Sequence, residues 1–89
     1  MKILYTKSFE RDIDEVRSSP GIRKRLLGVI EKLKETESLV EVPGVRKIEG
    51  YASYFRIKIG DYRLGMKMAG DTLELIRFLH RKDIYRRFP

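Results

Sequence analysis

The sequence predicts an α+β domain of order β-α-α-β-β-β, a twisted antiparallel sheet with two N-terminal helices packed on one face. Three observations carry this expectation. Apolar residues recur with a helical period from Phe9 to Leu33, the period changes to two after Tyr54, and Gly-Asp pairs at 60–61 and 70–71 punctuate the alternating stretch.

Lys2-Ile-Leu-Tyr5 is a short strand, after which Thr6 or Ser8 can cap a helix. Phe9, Ile13 and Val16 fall at i, i+4 and i+7 and give that helix one apolar stripe. Ser18-Ser19-Pro20 breaks the pattern and starts a second helix, with proline in the first turn where its missing N–H costs nothing. This helix runs from about Pro20 to Glu37 on a stripe of Ile22, Leu26, Val29, Ile30 and Leu33. Arg23-Lys24-Arg25 reads as part of its solvated face. Ser38 to Gly50 is a loop with one or two extended pieces.

A two-residue turn at Gly60-Asp61 sets a hairpin register that the side chains themselves can test. It pairs Ile59 with Tyr62, Lys58 with Arg63, Ile57 with Leu64, Arg56 with Gly65 and Phe55 with Met66. Every apolar residue then meets an apolar partner, whereas a slip of one residue would destroy the match. The opposite face collects Tyr54, Arg56, Lys58, Arg63 and Lys67. Lys58 against Arg63 is mildly unfavourable for the ladder, by a few tenths of a kcal/mol, and Gly65 leaves a depression beside Arg56. The third strand, Leu73 to Leu79, fits less cleanly. A turn at Gly70-Asp71 pairs Lys67 with Glu74 and puts Ile76, Phe78 and His80 on the basic face, but it sends Arg77 inward with Leu73, Leu75 and Leu79. Either Arg77 snorkels at a rim or a bulge changes the parity.

Eighty-nine residues make a single domain, residues 1–89, with a modest core and no room for a deep cofactor pocket. Charge is distributed unevenly: residues 1–43 carry nine basic and eight acidic side chains, residues 44–89 eleven and five. A one-sided field of this kind suits a polyanionic partner such as RNA, DNA or an acidic protein segment. With no cysteine and one histidine, disulfides, thiolate sites and Cys nucleophiles are excluded, and neither a metal nor another cofactor is expected. No apolar run approaches the length of a membrane span, so a cytoplasmic protein is expected.

Tyr5-Thr-Lys-Ser-Phe9, Lys47-Ile-Glu-Gly50, the hairpin Tyr54–Arg63 and the terminal His80-Arg-Lys-Asp-Ile-Tyr-Arg-Arg-Phe-Pro89 follow one another at a characteristic spacing. In order and spacing they resemble the RelE/ParE superfamily of toxins from type II toxin–antitoxin pairs, over nearly the whole chain. The resemblance implies a RelE-like fold and a cognate antitoxin as partner. Two branches are open. The RelE branch cleaves mRNA in the ribosomal A site without a metal, making ribosome and mRNA the further partners. The ParE branch inhibits DNA gyrase without catalysis, and a degenerate, non-toxic nucleic-acid- or antitoxin-binding relative is a third reading.

For the nuclease reading, the resemblance matches Arg56 and Lys58 to paired strand cations, Arg63 to the Arg after the turn, and Arg81 to the Arg ending the last strand. Tyr85 is the nearest equivalent of a C-terminal Tyr, although it follows Arg81 by four residues where the best-known pattern has six. The residue types suit the chemistry, because RNA brings its own nucleophile. The protein need only deprotonate the 2′-OH, stabilise a dianionic phosphorane and protonate the 5′-oxygen. Lys58 is a candidate general base, since like charge from Arg63 disfavours its protonated form. Arg63 and Arg81 would clamp the phosphate, and His80 or Tyr85 would protonate the leaving group. Tyr54 or Phe78 would stack on a base, and Arg56, Lys67 and Arg86 would attract the backbone.

Overall fold

A computed structural model describes residues 1–89. Its elements are β1 (Lys2–Tyr5), α1 (Lys7–Glu15), α2 (Pro20–Glu35), a 3₁₀ turn (Leu39–Glu41), β2 (Val45–Lys47), β3 (Tyr54–Ile59), β4 (Tyr62–Ala69), β5 (Thr72–His80) and a short α3 (Ile84–Arg87). The expected α+β class and order hold, with two additions. The extended piece expected in the 38–50 loop is a strand, β2, and the C-terminal segment forms α3.

The sheet order is β1-β5-β4-β3-β2. Strands β2 to β5 are antiparallel to their neighbours, but β1 pairs parallel to β5, from Lys2 opposite Thr72 to Tyr5 opposite Leu75. The sheet is therefore mixed rather than wholly antiparallel. Strand β1 leads into two helices before the chain returns, and a crossover of that length permits parallel pairing. Both hairpin turns have positive φ only at their first residue, Gly60 at 59° and Gly70 at 63°, the pattern of type II′ turns that demands glycine there.

Thr6 is the cap of α1: its Oγ1 accepts the Phe9 N–H at 3.2 Å. Phe9 of α1, Val16 at its C-terminal cap, and Leu26, Ile30 and Leu33 from α2 bury against Ile57, Ile59, Leu64, Met66, Leu73, Leu75 and Phe78 of the sheet. The β3–β4 register is the predicted one at every pair from Phe55–Met66 to Ile59–Tyr62.

The parity conflict in β5 is resolved by a bulge. Arg77 lies opposite Gly65 while Leu75 lies opposite Met66, so Ile76 is the extra residue. Beyond it the alternation inverts. Phe78 faces Leu64 and enters the core, His80 faces Tyr62 on the helix side, and Arg77 and Leu79 turn to the outer face.

Strand β1 ends at Tyr5, leaving the rest of β5 without a strand neighbour on that side. Side chains of α1 take its place. Thr6 Oγ1 donates to the Leu75 carbonyl at 2.8 Å, Ser8 Oγ to the Ile76 carbonyl at 2.8 Å, and Asp12 Oδ2 accepts the Phe78 N–H at 2.9 Å. Asp12 also receives Arg77 through two bonds, Nε at 2.8 Å and Nη2 at 3.0 Å. The hydrogen bond to Asp12 raises the Arg77 pKa above its ordinary value.

Candidate nucleic-acid interface

The outer sheet face carries the basic residues. One row crosses four strands: Arg46 of β2, Arg56 of β3, Gly65 of β4 and Arg77 of β5. Arg46 escaped the sequence reading because β2 spans only three residues. Its signal is the alternation Val45-Arg46-Lys47, continued by Ile48 on the outer face. The next row is Lys58, Arg63 and Leu79, and the row on the other side is Tyr54, Lys67 and Glu74.

This face is partly covered by the C-terminal segment. Phe88, Ile84 and Leu79 form a second small core, joined by Ile48, Tyr54 and Ile76. The Phe88 ring fills the depression at Gly65 so closely that a Cβ there would lie 2.8 Å from it. The depression expected beside Arg56 is thus occupied by an aromatic ring.

The resulting patch is built from cations and rings. The Arg56 guanidinium lies 5.8 Å from the centroid of Tyr85, which stands 61% exposed on α3. Lys67 Nζ lies 5.4 Å from the centre of Tyr54, whose ring meets Phe88 edge-on at 5.7 Å. Arg56 Nη1 is buried without a hydrogen-bond partner. Lys58 is exposed, with no carboxylate within salt-bridge distance. Arg56, Lys58, Tyr54, Lys67 and Tyr85 therefore share one surface.

The other candidates are placed differently. Arg63 is only 9% exposed, its Nη1 donating to the Gly60 carbonyl at 3.1 Å and to the Tyr62 carbonyl at 2.9 Å, while its Nε is unpaired. It braces the turn beside Lys58 instead of standing open as a clamp. Arg81 is exposed at the same end of the sheet, its N–H on the Asp61 carbonyl at 2.7 Å and its Nε 4.0 Å from the Asp61 carboxylate. Arg86 is exposed and paired with Asp83 at 2.7 Å. Two expectations are corrected by the bulge. Phe78 is 1% exposed and stacked on Tyr62 at 5.1 Å in the core, so it has no face to offer a base. His80 lies on the helix side, edge-on to Tyr62 at 5.6 Å, with Nδ1 accepting the Lys82 N–H, and does not face Lys58. Nowhere do three His, Asp or Glu side chains gather as metal ligands would, and no helix is long and apolar enough to cross a membrane.

A second surface lies on the helix side, where α1, α2 and β1 enclose an apolar groove of about 730 Å³. Leu4, Tyr5 and Leu27 line it and remain exposed, and Glu10, Asp14 and Glu31 stand among its polar residues.

A helix pair covers one sheet face and a cationic, aromatic-edged patch lies on the other, as the resemblance to toxins of type II toxin–antitoxin systems leads one to expect. The chain belongs to their RelE/ParE superfamily: residues 3–85 match the family model of the ParE toxin of type II toxin–antitoxin systems. Among individual proteins, it is 44% identical to Toxin RelE3 of Methanocaldococcus jannaschii over the full length of both chains. It is 41% identical to a chain of the RelB–RelE antitoxin–toxin complex from Methanococcus jannaschii, at a TM-score of 0.80 and covering 97% of this chain and 99% of that one. A chain of the Escherichia coli DinJ–YafQ complex shares the fold at 15% identity, with a TM-score of 0.67 and coverage of 94% and 97%.

Proposed function

We propose that this chain is a RelE-like toxin that cleaves mRNA on the ribosome by metal-independent attack of the 2′-OH. The observation that carries the reading is the patch of Arg56, Lys58 and Tyr85, with unpaired guanidinium nitrogen on Arg56 and Arg63 and an exposed phenol beside them. A phosphate on that patch would meet the exposed Lys58 ammonium and Tyr85 hydroxyl above guanidinium groups that are partly desolvated, and desolvated cations stabilise a phosphorane strongly. Lys58 takes the 2′-OH proton. Arg56, braced under Tyr85, and Arg81 hold the phosphate oxygens, and the Tyr85 hydroxyl delivers the proton to the departing 5′-oxygen. Arg63 acts from beneath, as fixed positive charge. Tyr54 supplies a ring against which a neighbouring base can stack.

The relatives solved as toxin–antitoxin complexes support a cognate antitoxin as partner. We place an amphipathic segment of it in the apolar groove between α1, α2 and β1, with its apolar side on Leu4, Tyr5 and Leu27. Cleavage of A-site codons in a purified translation system tests the proposal. Lys58→Ala combined with Arg81→Ala should reduce cleavage at least ~100-fold, and wild-type cleavage by that variant would sink it. The match to the ParE family model favours a second reading, a gyrase inhibitor that does no chemistry. Loss of DNA supercoiling without mRNA cleavage would establish that reading instead.

A further inference from the structure

On the edge of the sheet away from α1, strand β2 stops pairing at Val45 opposite Ile57. The last two residues of β3, Lys58 and Ile59, therefore have no strand beyond them. A cleft of about 290 Å³ opens there against α2, lined by Arg25, Gly28, Val29, Lys32, Lys58 and Ile59. Ile59 is buried and Val29 partly so, which leaves the three cations as the accessible chemistry.

None of those cations is paired. The five ion pairs of the chain involve Lys2, Lys34, Arg77, Arg81 and Arg86, and no carboxylate lies within 4.0 Å of Arg25, Lys32 or Lys58. Arg25 reaches from α2 onto the hairpin turn, where a Cβ on Gly60 would lie 2.7 Å from its Nη1. Gly28 contributes an absence: a Cβ there would meet nothing within 4 Å, so the floor between the cations is open. Lys58 belongs at once to this cleft and to the outer row with Arg63. Positive surface thus continues from Arg56 around the sheet edge to α2. It ends at Lys32, which also borders a hollow containing Glu35 and Glu41.

We infer that the α2–β3 cleft is a second phosphate-binding position, which holds the backbone of the same RNA several nucleotides away from the scissile bond. The inference rests on the polynucleotide reading of the outer face and extends it. Phosphate is the ligand class that fits three unpaired cations around an open glycine floor. A protein segment would seek large exposed anchors such as Leu4, Tyr5 and Leu27 in the groove on the helix side, whereas neither Val29 nor Ile59 of this cleft is an exposed side chain. The cleft also lacks aromatic rings, so it grips backbone and reads no base.

The test is fluorescence anisotropy of the full chain with oligouridylates of ~12 and ~4 nucleotides, read as a function of salt. The short probe should occupy the aromatic outer patch, and only the long one should reach the cleft. For the long probe, Arg25→Ala/Lys32→Ala should flatten the slope of log affinity against log salt by ~1.4, two contacts at ~0.7 each. Wild type should then lose ~7-fold more affinity than the variant between ~50 and ~200 mM salt, with short-probe binding equal. Gly28→Glu supplies a second variant. Its Cβ meets open space, its carboxylate opposes the cations, and glycine gives way to a better helix former, so weakened long-probe binding at an unreduced melting temperature supports the cleft. Unchanged long-probe slopes in both variants, with wild-type RNA binding intact, overturn the cleft alone, even if antitoxin binding weakens. Failure of the wild-type chain to bind either probe overturns the polynucleotide reading together with the cleft.

Discussion

Removing the Asp12 carboxylate should cost this small domain a large part of its stability. Asp12→Ala deletes three hydrogen bonds at once, two from Arg77 and one from the Phe78 N–H. It leaves an N–H orphaned beside a core residue that is 1% exposed, worth about 1–3 kcal/mol. It also leaves Arg77 without its counter-charge. Breaking a fully buried pair costs about 3–5 kcal/mol, but the Arg77 side chain is 18% exposed and can turn its guanidinium toward water. The lower end, about 3 kcal/mol, is therefore expected for the whole substitution. Against a total of about 4–13 kcal/mol for a chain of this length, and an m-value of about 1 kcal/mol/M in urea, the midpoint should fall by about 3 M. Urea unfolding followed by circular dichroism measures the shift, and native-state hydrogen exchange at the Phe78 amide should show protection lost locally. Asp12→Asn, which keeps the shape and one acceptor, should fall between. The hydrogen bond to Asp12 holds the Arg77 pKa above its ordinary value. Its stabilisation is therefore present throughout the neutral and mildly alkaline range and, as pH rises, is lost when strongly alkaline conditions deprotonate the folded-state guanidinium. A cost below about 1 kcal/mol, with the Phe78 amide still protected, would refute the view that this carboxylate closes the strand edge.

Three further outcomes follow from the same contacts. Gly65→Ala pushes a methyl to within 2.8 Å of the Phe88 ring, so it should destabilise by about 1–3 kcal/mol and increase proteolysis at α3. Combination with Phe88→Leu should be less than additive in denaturant melts. Gly28→Ala meets open space in the middle of α2 and should stabilise by about 0.5–1 kcal/mol, read as a melting temperature about 2–8 °C higher. Tyr85→Phe keeps the ring over Arg56 while removing the hydroxyl. In the nuclease assay it should lower kcat about 10²–10⁴-fold with little change in KM, and full activity would remove Tyr85 from proton transfer.

The β3–β4 hairpin was legible from the chain alone because three constraints agree there: the glycine of a two-residue turn, the alternation of Phe55, Ile57 and Ile59, and matching apolar partners on β4. In β5 the sequence carried a contradiction, Arg77 in the same parity as Leu73, Leu75 and Leu79, and no local information to resolve it. The deciding partner is Asp12, 65 residues away, which fixes Arg77 at the rim and draws the Phe78 N–H to itself. That long-range contact inverts the facing of Phe78 and His80, so the candidates taken from β5 were the ones corrected. Arg63 shows the same limit in another form. Its register was foreseen, but the fold of its guanidinium back onto the Gly60 and Tyr62 carbonyls could not be read from spacing. Arg46 was missed because three residues are too few for a period to declare itself.

The side chains that replace a strand along the second half of β5 have a consequence for self-association. Exposed strand edges invite another chain to extend the sheet. On β5 past Leu75 that invitation is withdrawn, since Thr6, Ser8 and Asp12 already occupy the backbone groups an incoming strand would need. The outer edge of β1 on one side, and that of β2 with the end of β3 beyond it on the other, remain as places where a further strand can add. A change at Asp12 would then reopen a third edge, and its first symptom at high protein concentration would be aggregation rather than unfolding.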